Sequence, residues 1–97
     1  MATLKANPAP LERRSEQRFP AAGPATMIIY AELTVLAEVQ CEFVDQSSRG
    51  CKLRHKYGHL DTGEMVALRF GSVETRALVV WTKRVENHFE SGFSFLS

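Results

Sequence analysis

The chain has 97 residues, 44% hydrophobic and 24% charged, with 12 Lys+Arg against 11 Asp+Glu for a formal charge of +1. That composition suits one small globular domain and excludes wholesale disorder. The near-balance of charge excludes a DNA-coating protein, because neutralising many phosphates requires a clearly basic domain. No run of about 18 apolar residues is present, so no membrane insertion is expected. Residues 1–8 lack the apolar block of a secretory signal, and a cytoplasmic location is the resulting expectation. In a reducing compartment Cys41 and Cys51 are free thiols, Cys41 being a small core residue.

In chain order, residues 1–24 hold all four prolines and show no sustained period. They are read as a flexible N-terminal segment. The domain proper runs over 25–97. Residues 26–33, rich in β-branched, aromatic and apolar side chains, predict a first strand. Val39, Cys41 and Phe43 alternate with Gln40 and Glu42, the period of a second strand with one buried face. Asp45-Gln46-Ser47-Ser48-Arg49-Gly50 is a cluster of turn formers. A third strand over 51–56 sets Cys51, Leu53 and His55 on one face and Lys52, Arg54 and Lys56 on the other. Residues 57–63 read as a loop. Residues 64–70 alternate with Val66, Leu68 and Phe70 facing inward, and Gly71-Ser72 suits a two-residue type II′ hairpin. The longest strand is predicted over 73–83, with Leu78-Val79-Val80-Trp81 buried on both faces. Glu86-Asn87-His88 turns the chain, and Gly92-Phe93-Ser94-Phe95-Leu96 closes it with Phe93 and Phe95 on one side. Six short strands without a helix predict an all-β fold, a small antiparallel barrel or sandwich, of which a closed barrel removes exposed edges.

The chemistry that this pattern can carry is narrow. His55 and His59 would share one face only on a helix, and no Cys-x-x-Cys accompanies them, so no metal ligands are expected. Ser47 has no recognisable base or nucleophile elbow, and the carboxylates are dispersed, so no catalytic residues are expected. Two elements remain. Arg13, Arg14 and Arg18 crowd three planar, permanently charged donor forks into six positions, which is the chemistry that grips phosphate and stacks on bases. Asp45, Ser47 and Gly50 place a carboxylate acceptor, a hydroxyl and a close-approach glycine in one turn.

Arg14-Ser15-Glu16-Gln17-Arg18 followed by Asp45-Gln46-Ser47-Ser48-Arg49-Gly50 resembles the paired signature of the PilZ family, Arg-x-x-x-Arg and Asp/Asn-x-Ser-x-x-Gly. Gly63, Val79-Val80-Trp81 and Gly92-Phe93-Ser94-Phe95 echo the family further, so the likeness spans roughly residues 13–96. The resemblance implies a small six-stranded antiparallel β-barrel, a PilZ-like split barrel, that binds cyclic di-GMP in the bacterial cytoplasm, without a cofactor. It implies that Arg14 and Arg18 contact phosphate and guanine, Asp45 reads a guanine edge, and Ser47 and Gly50 shape the pocket. Arg13 and Arg84 are further candidate contacts. Arg49 and Gln46 depart from the common pattern, and the C-terminal helix of many members is not expected.

The reading that results is a receptor without catalysis, a monomer or weak homodimer. Its arginine segment changes conformation on binding and signals to an unidentified protein effector. Two rivals stand beside it. One is a PilZ-like protein–protein interaction module in pilus or motility assembly that binds no nucleotide. The other is a barrel binding single-stranded nucleic acid through Tyr57, Phe70 or Trp81.

Overall fold

The computed structural model describes residues 19–20 and 22–96, and every regular element among them is a strand. These are β1 (Phe19–Pro20), β2 (Pro24–Ala31), β3 (Thr34–Gln46), β4 (Gly50–His55), β5 (Met65–Phe70), β6 (Val73–Val85) and β7 (His88–Phe95). β1, Ala22, Gly23 and the first residue of β2 fall within residues 1–24, whose other residues lie outside the described residues. The six longer strands run antiparallel in the order β3-β2-β5-β6-β7-β4, and β4 pairs back onto β3. The sheet therefore closes into a six-stranded antiparallel β-barrel rather than a sandwich, as the family resemblance implies.

Period-two patterning builds the core. Met27 and Ile29 on β2, Leu53 on β4, Val66 and Leu68 on β5, Val79 on β6 and Phe93 on β7 point inward and are buried. Val39 and Phe43 pack against them from β3, and Leu60 joins from the loop between β4 and β5. Each of these larger side chains contributes about 1.5–3 kcal/mol through loss of water contact. Cys41 and Cys51 are free and buried. Burial pushes the Cys41 thiol up to about 12, with only a small opposing effect from a backbone hydrogen bond at Met27. A thiol so rarely ionised is chemically inert.

Gly71 adopts φ +61°, and Ser72 keeps a negative φ, as a type II′ turn requires. Three expectations are corrected. The first strand ends at Ala31 rather than Leu33, because Glu32 turns the chain with φ +57° and Leu33 projects into solvent. His88 opens β7 instead of belonging to the turn, which is made by Glu86 and Asn87. The 78–81 run is not buried on both faces. A β-bulge between Val79 and Trp81 adds a residue to β6, and both Val80 and Trp81 reach the surface.

Candidate functional site

The turn from β3 to β4 is built by its own side chains. The Ser47 amide donates to the Gly50 carbonyl at 2.8 Å, and the Ser47 hydroxyl donates to the same oxygen at 3.4 Å. The Arg49 amide donates to the Ser47 hydroxyl at 3.3 Å, while the Arg49 carbonyl accepts from the Phe95 amide at 2.8 Å. Ser47 is buried, so its hydroxyl is committed to the turn. Gly50 is required by packing: a Cβ there would strike the backbone carbonyl of Phe93 on β7. The Asp-x-Ser-x-x-Gly spacing thus fixes a rigid loop across the β4–β7 pairing.

Two hollows open beside this loop. One, of about 280 Å³, is lined by Ser47, Arg49, Gly50, Trp81, Gly92 and Ser94, among others. The second, of about 170 Å³, is lined by Asp45, Cys51, Lys52, Trp81 and Gly92. Trp81 and Gly92 belong to both, so the indole stands between them. Gly92 makes this possible, since a Cβ at that position would run into the indole nitrogen. The β6 bulge turns the ring outward, leaving it 36% exposed. Asp45 lies 3.7 Å from the ammonium of Lys52, its cross-strand partner. The groove therefore combines a flat aromatic, a carboxylate and the cations Arg49 and Lys52, which suits a planar anionic ligand.

Ser47 and Gly50 line the larger hollow, and Asp45 lines the smaller one on the other side of the indole. Arg13, Arg14 and Arg18 lie outside the described residues. The next residue after Arg18 is Phe19, and β1 pairs Phe19 with Gln46 and Pro20 with Asp45. The arginine motif is thereby tethered directly to the strand that ends in the loop. Arg84 sits apart, three positions past Trp81, or roughly 10 Å along β6. Its Nε donates to the Glu86 carbonyl at 3.4 Å, its guanidinium lies 6.0 Å from the Phe89 ring centre, and neither hollow includes it. Lys52 and Gly92 were not singled out as site residues from sequence. Trp81 was noted only as a motif echo and as a stacking platform in a rival reading. Of the three aromatics in that rival, Tyr57 and Phe70 pack against the core, and Phe70 meets Phe43 edge-on at 5.1 Å.

One histidine–serine pair requires a separate account. His55 Nε2 and Ser91 Oγ are 2.7 Å apart, and Ser91 Oγ is 2.7 Å from Thr82 Oγ1. The Tyr57 amide donates to His55 Nδ1 at 3.1 Å, so the ring proton sits on Nε2 and is donated to Ser91. A histidine in that tautomer cannot take the serine's proton, and Ser91 is fully buried. Burial, and secondarily the charge of His88, holds the His55 pKa below its usual value. The chain is a polar strut linking the neighbouring strands β4, β7 and β6, not a nucleophile and its base.

Residues 12–97 match the family model described as PilZ domain. No curated protein matches the chain.

Proposed function

Because the chain belongs to the PilZ domain family, we propose that it is a cyclic di-GMP receptor that works by binding rather than catalysis. The observation that carries this reading is the β1 pairing. It ties the residue after Arg18 to Gln46, immediately before the Ser47–Gly50 loop and its groove.

In this reading Arg14 and Arg18, with Arg13 beside them, take the ligand's two phosphates and stack on guanine. The Asp45 carboxylate accepts from a guanine ring N–H and amino group, exchanging part of its contact with Lys52. Ser47 and Gly50 hold the loop that frames the base. The exposed indole of Trp81 offers a face for a second planar group, a contact worth about 1–3 kcal/mol. Arg49 adds positive charge to the groove wall. Arg84 is at most a peripheral contact, given its distance along β6.

Binding changes the conformation of the 13–18 segment. Each residue fixed in that change costs about 1–2 kcal/mol, and charge-assisted hydrogen bonds of roughly 1.5–3 kcal/mol each offset it. The rearranged segment is what a protein effector would read.

Titration calorimetry with cyclic di-GMP tests the reading. Arg14→Ala or Arg18→Ala should weaken binding about 10- to 100-fold, one decade corresponding to about 1.4 kcal/mol. Absence of binding by the unaltered chain at high-micromolar ligand ends the proposal.

A further inference from the structure

The barrel closes at only one end of β3. Among the described residues, β4 pairs with β3 from Glu42 to Gln46, whereas residues 34–41, apart from the bulged Leu36, pair with β2 alone. β5 in turn pairs with β2 only at residues 26–29, so Tyr30 and Ala31 also lack a second neighbour strand. The β2–β3 hairpin therefore extends past the barrel and presents an open row of backbone donors and acceptors.

Open edges are normally blunted by lysine, proline, a bulge or a covering loop. Residues 34–40 read Thr-Val-Leu-Ala-Glu-Val-Gln, with neither lysine nor proline, and the one bulge, at Leu36 opposite Ile29 and Tyr30, leaves 37–41 in regular register. Apolar side chains are concentrated at this end: Leu33 is 97% exposed, Leu36 62% and Val35 47%. The edge also finishes at a cavity of about 450 Å³, where β3 and β4 separate, lined by Gln40, Cys41, Arg54, His55, Lys56 and His88 among others. Side chains of an added strand that faced inward beside Ala37 and Val39 would lead toward that space.

Charge selects the occupant. No Lys or Arg occurs between residues 19 and 48, and Glu32 and Glu38 are exposed at the hairpin; Arg54 and Lys56 stand at the cavity end, where Arg54 lies 3.5 Å from Glu42. Pairing this edge with a second copy would set acidic hairpins against each other, and like charges across strands are destabilising. We propose that residues 34–41 of β3 are a docking edge for an extended segment of another protein. That segment alternates apolar residues with Lys or Arg and adds as a further strand of the sheet. The surface is distinct from the groove, since Leu36 and Ser47 are separated by on the order of 30 Å along the strand. It can be engaged whether or not the nucleotide reading holds.

The test uses the full isotopically labelled chain and two capped eight-residue probes, one alternating Val with Lys and one alternating Val with Glu. Backbone amide shifts and hydrogen exchange are followed by NMR. The Val–Lys probe should shift and protect amides within residues 34–41, and the Val–Glu probe should leave them unchanged. Glu38→Lys, a substitution at an exposed position, should weaken the Val–Lys probe about fivefold. Equal responses to both probes, or no response at the edge, overturn the proposal. Protection, in the free chain, of those amides in this stretch that point away from β2 overturns it too. If that protection rises with protein concentration, the occupant is a second copy; if it does not, the occupant is the chain's own basic segment.

Discussion

The two ends of β3 belong to one continuous strand, yet they are constructed in opposite ways. At the far end, Asp45 and Gln46 have neighbours on both sides, β1 on one and β4 on the other. The turn that follows is closed by Ser47 and pressed against β7 through Gly50. At the near end, the backbone pairs on one side and the side chains around Leu33 and Leu36 face water. In the proposed function, recognition at the first end depends on preorganised side chains held in a groove. At the second, the sheet itself is unfinished, and an incoming backbone can complete it. The contrast teaches that one strand can carry two binding modes when one end is rigid and the other open.

The rigid end should break most sharply at Gly50. Gly50→Ala forces a Cβ onto a backbone carbonyl that cannot rotate away, at a cost of about 3 kcal/mol. For a domain of this length that lowers Tm by roughly 12–24 °C. Gly92→Ala is the control, since its new Cβ meets an indole side chain that has solvent to move into. It should cost about 1 kcal/mol. It should also change the emission of Trp81, the single tryptophan of the chain. Equal losses for the two variants would show that the turn yields as easily as a side chain and that its rigidity is overstated.

Much of this was legible in the residues, for local reasons. Alternation located the six strands, and Ser47 and Gly50 close the turn that follows Asp45 and Gln46, so their spacing carries the loop's geometry. Trp81 and Gly92 meet only through the β6–β7 register, which a bulge at Val80 shifts by one. Nothing in the run Leu-Val-Val-Trp announces that bulge, so the run read as buried. The open end was hidden for a related reason. Its turn uses Glu32 in a left-handed conformation, where glycine or asparagine would have marked it. Arg13, Arg14 and Arg18 lie outside the described residues, and the structure locates only where their chain joins the sheet.

The boundary between the two ends lies near His55, the last residue of β4, beyond which β3 loses that neighbour. His55 joins Tyr57, Ser91 and Thr82 in one buried chain of hydrogen bonds. Its pKa is lowered in the folded state, first by burial and then by His88, so the unfolded chain binds more protons just below 6.5. Stability is therefore complete above 6.5 and is lost as pH falls below it. Urea midpoints measured between pH 7 and pH 5 should decline, and His55→Gln, which donates and accepts without titrating, should flatten that decline. An unchanged slope in the variant would assign the acid sensitivity to other groups.

The smallest effect on folding is expected where the surface is most conspicuously apolar. Leu36 is 62% exposed, and Leu36→Thr keeps β propensity while removing apolar surface. Its stability should stay within about 0.5 kcal/mol of the unaltered chain, as for exposed positions without special contacts. Affinity for the Val–Lys probe should nevertheless fall, because an added strand would cover that side chain. A large loss of stability would instead mean that Leu36 supports the hairpin itself. The near end of β3 would then be a structural element like the far end, and the contrast between them would disappear.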